Sequence, residues 1–293
     1  MKKTTLIVLN YNDYETTSSF LEQIKSYDNI ENIIVVDNNS SDNSFEVLSK
    51  FKSCKIDVIK SNENGGYGKG NNIGLIYAEK KYKPKYYIIS NPDIKINQLT
   101  IQSILDYLEN NDDVAMCTAK MIEKNGEINK RFAWKLPTYK DNIILCFPIL
   151  SKLIKPTIYK KELLKSNAAL YVDVVPGSFF VIKSQVFKDV DYFDECTFLF
   201  YEEEILAYKI KNKGYKIALL SDKEFIHNHG VTINKHYRKY LSRYNIMGKS
   251  KVIYLKKYLK VGRFKLLIFR VLYNISKIEI IILEFLKSFL KKR

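Results

Sequence analysis

Cysteine is scarce in this 293-residue chain, and the four present (Cys54, Cys117, Cys146, Cys196) lie far apart with no Cys-x-x-Cys pair. That spacing argues against a disulfide framework and predicts reduced, mostly buried thiols in a cytoplasmic protein. Long apolar runs are missing too. After Met1-Lys2-Lys3 the first run is only Leu6 to Leu9, too short for a signal peptide, and it reads as a first strand. No charge-free stretch near the C-terminus approaches the ~20 apolar residues a membrane-spanning helix needs. Internal repeats and low-complexity linkers are absent as well. The length suits one large domain with an appendage better than two equal domains.

Acidic residues are nearly absent from the C-terminal segment. Residues 231–293 hold 17 Lys/Arg against 2 Asp/Glu, whereas residues 1–230 hold 31 against 30. The formal charge of +16 is therefore a property of the C-terminal segment. A body so close to neutral gives no support to nucleic acid as a partner.

The first 120 residues alternate short β-rich runs with helical stretches, the signature of a parallel sheet with crossover helices. Strands are expected at 5–9, 33–36, 56–59, 86–90 and 114–118, and helices at 14–26, 45–51, 71–81 and 101–108. Residues 62–70 read as a glycine-rich loop. From 125 to 168 the periodicity weakens among Pro137, Pro148 and Pro156. It returns as a strand over 171–182 interrupted by Pro176-Gly177, a helix over 202–213 and a strand over 215–219.

Three of the apolar strands stop abruptly at amides and carboxylates: Asn10-Tyr11-Asn12-Asp13, Asp37 to Asp42, and Asn91-Pro92-Asp93. Any one of these would pass for a turn or a helix cap. Three at the carboxyl ends of parallel strands converge on one rim, where open α/β sheets bind ligands. The glycines of 65–74 permit close backbone approach at a helix N-terminus that favours anions. They match neither a P-loop nor a Gly-x-Gly-x-x-Gly fingerprint after the first strand.

These residues carry a resemblance. Asn10-Tyr11-Asn12, Val36-Asp37-Asn38-Asn39-Ser40-Ser41-Asp42, Asn64-Gly65-Gly66-Tyr67-Gly68-Lys69-Gly70-Asn71-Asn72 and Asn91-Pro92-Asp93 come first, followed by Pro176-Gly177-Ser178, Tyr192-Phe193-Asp194-Glu195, Tyr201-Glu202-Glu203 and His227-Asn228-His229-Gly230. In that order, over about residues 4–232, the set resembles family 2 glycosyltransferases of the GT-A fold, in the rhamnosyltransferase-like branch that builds bacterial surface polysaccharides. The resemblance implies a Rossmann-like, mostly parallel α/β sheet with flanking helices. The catalytic domain would span 1–232, with a nucleotide-sugar half to about 120 and an acceptor half beyond it. Residues 233–293 would form a basic helical tail.

The resemblance also implies roles. Tyr11 packs on the base of the nucleotide-sugar donor and Asp37 bonds its polar edge, with Asn10 beside them. Asn64, Gly65, Gly66 and Asn71 lie over the donor, and Lys69 meets a phosphate or faces solvent. Asn91-Pro92-Asp93 stands where the family carries Asp-x-Asp. Asp93 is expected to ligate Mg2+ or Mn2+ on the donor diphosphate, and Asn91 to contact ribose or a water. His227, with His229 as its rival, joins the metal. In an inverting transfer one carboxylate deprotonates the acceptor hydroxyl. Glu203 matches that position and its neighbour Glu202 is the alternative. No Gln-x-x-Arg-Trp motif is present to support a processive synthase, and Asn10-Tyr11-Asn12 is not the phosphate loop of a nucleotidyltransferase. An inactive nucleotide-sugar-binding scaffold subunit rests only on the departures at Asn91 and Glu203.

In the tail, Arg263, Arg270, Lys277, Glu284 and Lys291 recur seven apart among apolar residues. On a helix this gives a narrow polar stripe and a broad apolar face. The face either packs on the catalytic domain or a second subunit, or lies on the inner membrane. A lipid-linked saccharide acceptor favours an anionic membrane surface, which makes the protein peripheral.

Overall fold

In the structure, a computed structural model, residues 3–165, 169–228 and 240–290 are described. The N-terminal half runs β1 (Thr4–Asn10), α1 (Tyr14–Ile24), β2 (Asn32–Asp37), α2 (Ser44–Ser49), β3 (Ile56–Lys60), α3 (Gly66–Lys81) and β4 (Tyr86–Ser90). Then come β5 (Ile94–Lys95), α4 (Gln98–Glu109), β6 (Val114–Glu123), α5 (Tyr139–Ile144), α6 (Pro148–Ile154), β7 (Ala169–Val172), β8 (Phe179–Lys183), α7 (Ser184–Asp189), α8 (Glu202–Asn212) and β9 (Lys216–His227). Two further helices, α9 (Tyr240–Ile253) and α10 (Arg263–Leu290), follow a stretch outside the described residues and flank a π-helical turn at Tyr254–Tyr258.

One nine-stranded sheet results, in the order β3-β2-β1-β4-β8-β6-β9-β5, with β7 also paired to β9. The chain steps outward from β1 to β3 and returns through α3 to β4, on the other side of β1. Strand order reverses between β1 and β4, and ligands of such sheets bind at the carboxyl ends flanking that reversal. Strands β3 to β4 are parallel, as the alternating pattern predicts. Beyond β4 the sheet is mixed, because β8 runs antiparallel to both β4 and β6.

Both faces of the sheet are covered, so the strands are apolar on both sides. Leu6 and Val8 pack under α1 and α4 with Phe20, Leu21, Ile101 and Ile104. The alternate residue Ile7 faces α3 and α8 with Leu75, Ala78, Leu206 and Ile210.

Three expectations need correction. Residues 66–70 are helical, so α3 starts five residues before the expected 71. Gly70 and Gly74 are small because the helix lies against the sheet: an added Cβ would stand 2.6 Å from Leu9 and 2.8 Å from Ile7 and Val36, respectively. The last strand continues to His227, well past 219, after a register shift against β6 between Ala119 and Lys120. Finally, only Cys117 and Cys146 are buried, whereas Cys54 and Cys196 are exposed; all four are free thiols.

The tail is a pair of packed helices. Leu266, Phe269, Tyr273 and Ile280 of α10 join Tyr244, Leu255 and Cys146 in a separate small core. The Tyr244 and Tyr273 rings stack 4.5 Å apart, and Gly248 makes room, since a Cβ there would strike the Tyr273 ring. Among the described residues no helix is long and apolar enough to cross a membrane.

Candidate active site

The rim at the ends of β1, β2 and β4 is built from short side chains that bond one another. Asn10, ending β1, pairs in register with Asp37, ending β2. Its amide donates to Asp37 Oδ2 at 3.0 Å, and its carbonyl oxygen accepts from Thr17 at 2.8 Å. Asp37 is fully buried, and its oxygens accept from the Ser40 N–H at 3.0 Å and the Ser40 hydroxyl at 2.6 Å. In this conformation the carboxylate holds its own loop. Tyr11 follows Asn10 and is half-buried.

The second loop is tied to α3 by Asn38, a residue without an assigned role in the sequence reading. Its amide donates to Asn64 Oδ1 at 3.0 Å and to the Gly66 carbonyl at 3.2 Å. Gly66 sits at φ +84°, and a Cβ there would lie 2.0 Å from the Phe198 carbonyl oxygen. A side chain at this crossing is therefore excluded by both backbone conformation and space. Gly65 caps the helix beneath the Lys69 stem, and the Lys69 ammonium pairs with Glu63 at 2.6 Å. Asn71 is buried and bonds back to the Tyr67 carbonyl. Asn72, its neighbour, clamps the distant loop by donating to the Phe193 carbonyl and accepting from the Phe193 N–H.

At the end of β4, the Asn91 N–H donates to the Ser178 carbonyl at 2.8 Å. Asp93 begins the turn into β5, whose Ile94 pairs with His227 at the end of β9. The pairing brings His227 Nε2 to 3.1 Å from Asp93 Oδ1, with both residues 8% exposed. Two residues 134 positions apart in the chain thus form one compact pair. His229 lies outside the described residues. Among the described residues no group of three or more His, Cys, Asp or Glu is placed to hold a metal.

The acidic run Glu202-Glu203-Glu204 opens α8, where the helix dipole favours negative charge. Phe200 and Tyr201, immediately before it, both have positive φ. The three carboxylates face different surroundings. Glu202 is buried, with Oε2 unbonded, and desolvation together with the Glu203 charge raises its pKa well above 4.5. Glu203 accepts from the Gly177 N–H at 3.2 Å, and burial raises its pKa against the lowering effect of that bond and of Arg131. Glu204 accepts from the Trp134 indole N–H at 3.0 Å and is pushed up to about 7 by burial and by Glu203. Glu203 and Glu204 line a cleft of about 250 Å3 with Arg131, Trp134, Tyr244 and Lys251; Glu202 does not.

Gly177 links this acidic run to the Asn91 turn. Its carbonyl accepts from the Tyr67 hydroxyl at 2.6 Å, while its neighbour Ser178 holds Asn91. The backbone just after Pro176 thus connects Glu203, α3 and Asn91 through three successive peptide groups. Trp134 and Arg131 had no assigned role in the sequence reading, although a lone tryptophan near lysine and arginine was a usable signal.

The order of these motifs along one sheet, and their convergence at its strand-order reversal, point to one family. The profile described as Glycosyl transferase family 2 matches residues 5–188. The chain belongs to glycosyltransferase family 2. By sequence it is 25% identical over 228 residues to the low-salt glycan biosynthesis hexosyltransferase Agl10 of Haloferax volcanii, covering 78% of this chain and 67% of that one. It is 23% identical over 225 residues to the rhamnosyltransferase WbbL of Escherichia coli, covering 76% and 82%. Such relatives place it in the rhamnosyltransferase-like branch of the family. Among solved structures it resembles the mannosyltransferase PcManGT from Pyrobaculum calidifontis in complex with GDP-Man and Mn2+. The TM-score is 0.58 at 15% identity, covering 89% of this chain but only 65% of that longer one. The fold of this glycosyltransferase is thus the mixed α/β GT-A fold.

Proposed function

We propose that this glycosyltransferase moves a hexose, rhamnose or a close relative, from a dTDP- or UDP-sugar to a lipid-linked glycan, with inversion at the anomeric carbon. The observation that carries the reading is the setting of Glu203. It is half-buried, faces the cleft and is held from below by the Gly177 N–H. A carboxylate made more basic by burial, yet fixed by one hydrogen bond, suits a general base toward an acceptor hydroxyl. Glu202 is the weaker candidate because it is buried away from the cleft.

Asp93 and His227 fit a divalent cation in donor type and position. One carboxylate oxygen and one imidazole nitrogen stand 3.1 Å apart at a strand end, and these two residues would hold Mg2+ or Mn2+. Bound there, the ion would neutralise charge on the departing nucleoside diphosphate. Asn91, two residues before Asp93, supplies a neutral amide toward the ribose. Tyr11, with Asn10 and Asp37 behind it, forms the base-binding end, and Asn64, Gly65, Gly66, Lys69 and Asn71 form the wall over the donor. A lipid-linked acceptor puts the enzyme at the cytoplasmic face of the membrane.

The decisive experiment incubates the purified chain with a panel of nucleotide sugars and reads released nucleoside diphosphate. One donor should be consumed, in a metal-dependent manner, by the wild type and not by Glu203→Gln. Equal release by both proteins would remove Glu203 as the base.

A further inference from the structure

Exposed large apolar side chains are concentrated in two elements. Of 19 such residues among those described, ten lie on α10 and four on α6. Helix α10 buries Leu266, Phe269, Tyr273 and Ile280 against the protein, so the exposed set, including Phe264, Ile278 and Phe285, lies outside that packed stripe. Helix α6 leaves Ile149, Leu150, Leu153 and Ile154 exposed and buries no residue fully. The two helices meet where the Ile149 N–H donates to Glu279 of α10 at 2.7 Å. Monomeric proteins rarely leave so many large apolar groups contiguous without a partner.

The surrounding charge says what that partner is. Residues 142–161 hold four lysines and no acid, and the described tail residues 240–290 hold 11 Lys/Arg against 2 Asp/Glu. A second copy docked on this face would bring two strongly cationic surfaces together. An anionic bilayer instead takes the apolar side chains into its headgroup boundary and the lysines onto its phosphates.

We propose that α6 and the outer face of α10 form a single membrane-docking surface that seats the enzyme on anionic lipid beside the mouth of its acceptor cleft. Pro148 and Ser151 of α6 also line the cleft that holds Glu203. A saccharide carried on a lipid thus meets the base next to the surface its anchor occupies. The inference rests on the proposed transferase reading for its purpose, and on the apolar and charged surface for its existence.

The test uses the full chain with vesicles of phosphatidylcholine alone and with added phosphatidylglycerol. Two variants, Leu153→Glu on α6 and Phe264→Glu on α10, alter residues that are 76% and 74% exposed, so neither removes core packing. The wild type should sediment with the anionic vesicles only, and each variant should lower that partition by roughly tenfold or more. Each variant should melt like the wild type and release nucleoside diphosphate at the same rate without vesicles. Failure to bind anionic vesicles, or loss in Phe264→Glu alone, would overturn the composite surface. So would a wild-type dimer that Leu153→Glu converts to monomer, because the face would then belong to a second copy. Vesicle binding as expected with no nucleotide sugar consumed would instead sink the transferase reading and leave the docking surface standing.

Discussion

The backbone N–H of Gly177 donates to Oε1 of Glu203 at 3.2 Å, and any side chain at 177 would collide with that carboxylate: an added Cβ lies 2.7 Å from the same oxygen. Gly177 therefore sets the position of Glu203. Gly177→Ala should lower kcat by about tenfold to a hundredfold while donor KM stays near the wild-type value. Glu203→Gln should lower it further, by roughly 10²–10⁴-fold. Steady-state kinetics on a consumed donor separates the two constants. A raised donor KM with unchanged kcat in Gly177→Ala would place the glycine in donor binding instead.

Asp93 and His227 are joined by the β5–β9 pairing, so each should matter to metal use and little to folding. Asp93→Ala should cost about a hundredfold or more in rate. His227→Ala should lose less and recover part of its rate at raised Mn2+. Titrating Mn2+ against initial rate reads both. A transfer rate indifferent to chelator, and to Asp93→Ala, would end the metal assignment.

The acidic run at the start of α8 makes a prediction about pH. Burial raises the pKa of Glu202, Glu203 and Glu204 above the ordinary 4.5, so the folded chain binds more protons here than the unfolded one. Their contribution to stability is complete below 4.5 and is lost as pH rises through the folded values, which for Glu204 is about 7. Glu202→Gln removes one of these protonation sites. Its Tm should exceed the wild-type Tm by about 2–4 °C at slightly alkaline pH, and the difference should shrink toward mildly acidic pH. The difference between the two proteins isolates this site from Asp194, whose pKa moves the opposite way because the Lys257 ammonium and the Tyr258 hydroxyl bond it. A wild-type Tm higher at alkaline pH than that of Glu202→Gln would contradict the sign.

The parallel half of the sheet was legible because each buried strand is a short apolar run ending at polar residues, and the rim loops follow from where those runs stop. The start of α3 was not. Glycines at 65, 66, 68 and 70 look like a loop in sequence, yet from Gly66 onward they are helical positions, like Gly74, where a missing Cβ lets a helix touch β1, β2 and the Phe198 backbone. That is a tertiary demand, invisible to local propensity. Residues 125–168 were unreadable for a similar reason. Helices α5 and α6 are six and seven residues long and owe their place to contacts with α10, such as the Tyr139 hydroxyl donating to the Lys265 carbonyl. Among the site residues, the resemblance put Asp93 and His227 at one metal, but the direct contact between them follows from the β5–β9 register. The role of Gly177 required the position of Glu203.

The same packing changes what truncation of the tail would do. As a simple amphipathic anchor, the chain beyond Gly262 could be removed to release the protein from membranes and leave the enzyme intact. Helix α10, however, buries Leu266, Phe269, Tyr273 and Ile280 against Tyr244, Leu255 and Cys146. At about 1.5–3 kcal/mol for each buried side chain, its loss removes roughly 6–12 kcal/mol of apolar burial, comparable to the whole stability of an ordinary domain. Deleting residues 263–293 should therefore lower Tm sharply or yield insoluble protein. Phe264→Ser, on the outer face of the same helix, should leave Tm within about 2 °C of wild type. Thermal unfolding of the two proteins side by side decides the matter. A truncated chain that melts like the full one would show that the inner face of α10 contributes no packing energy.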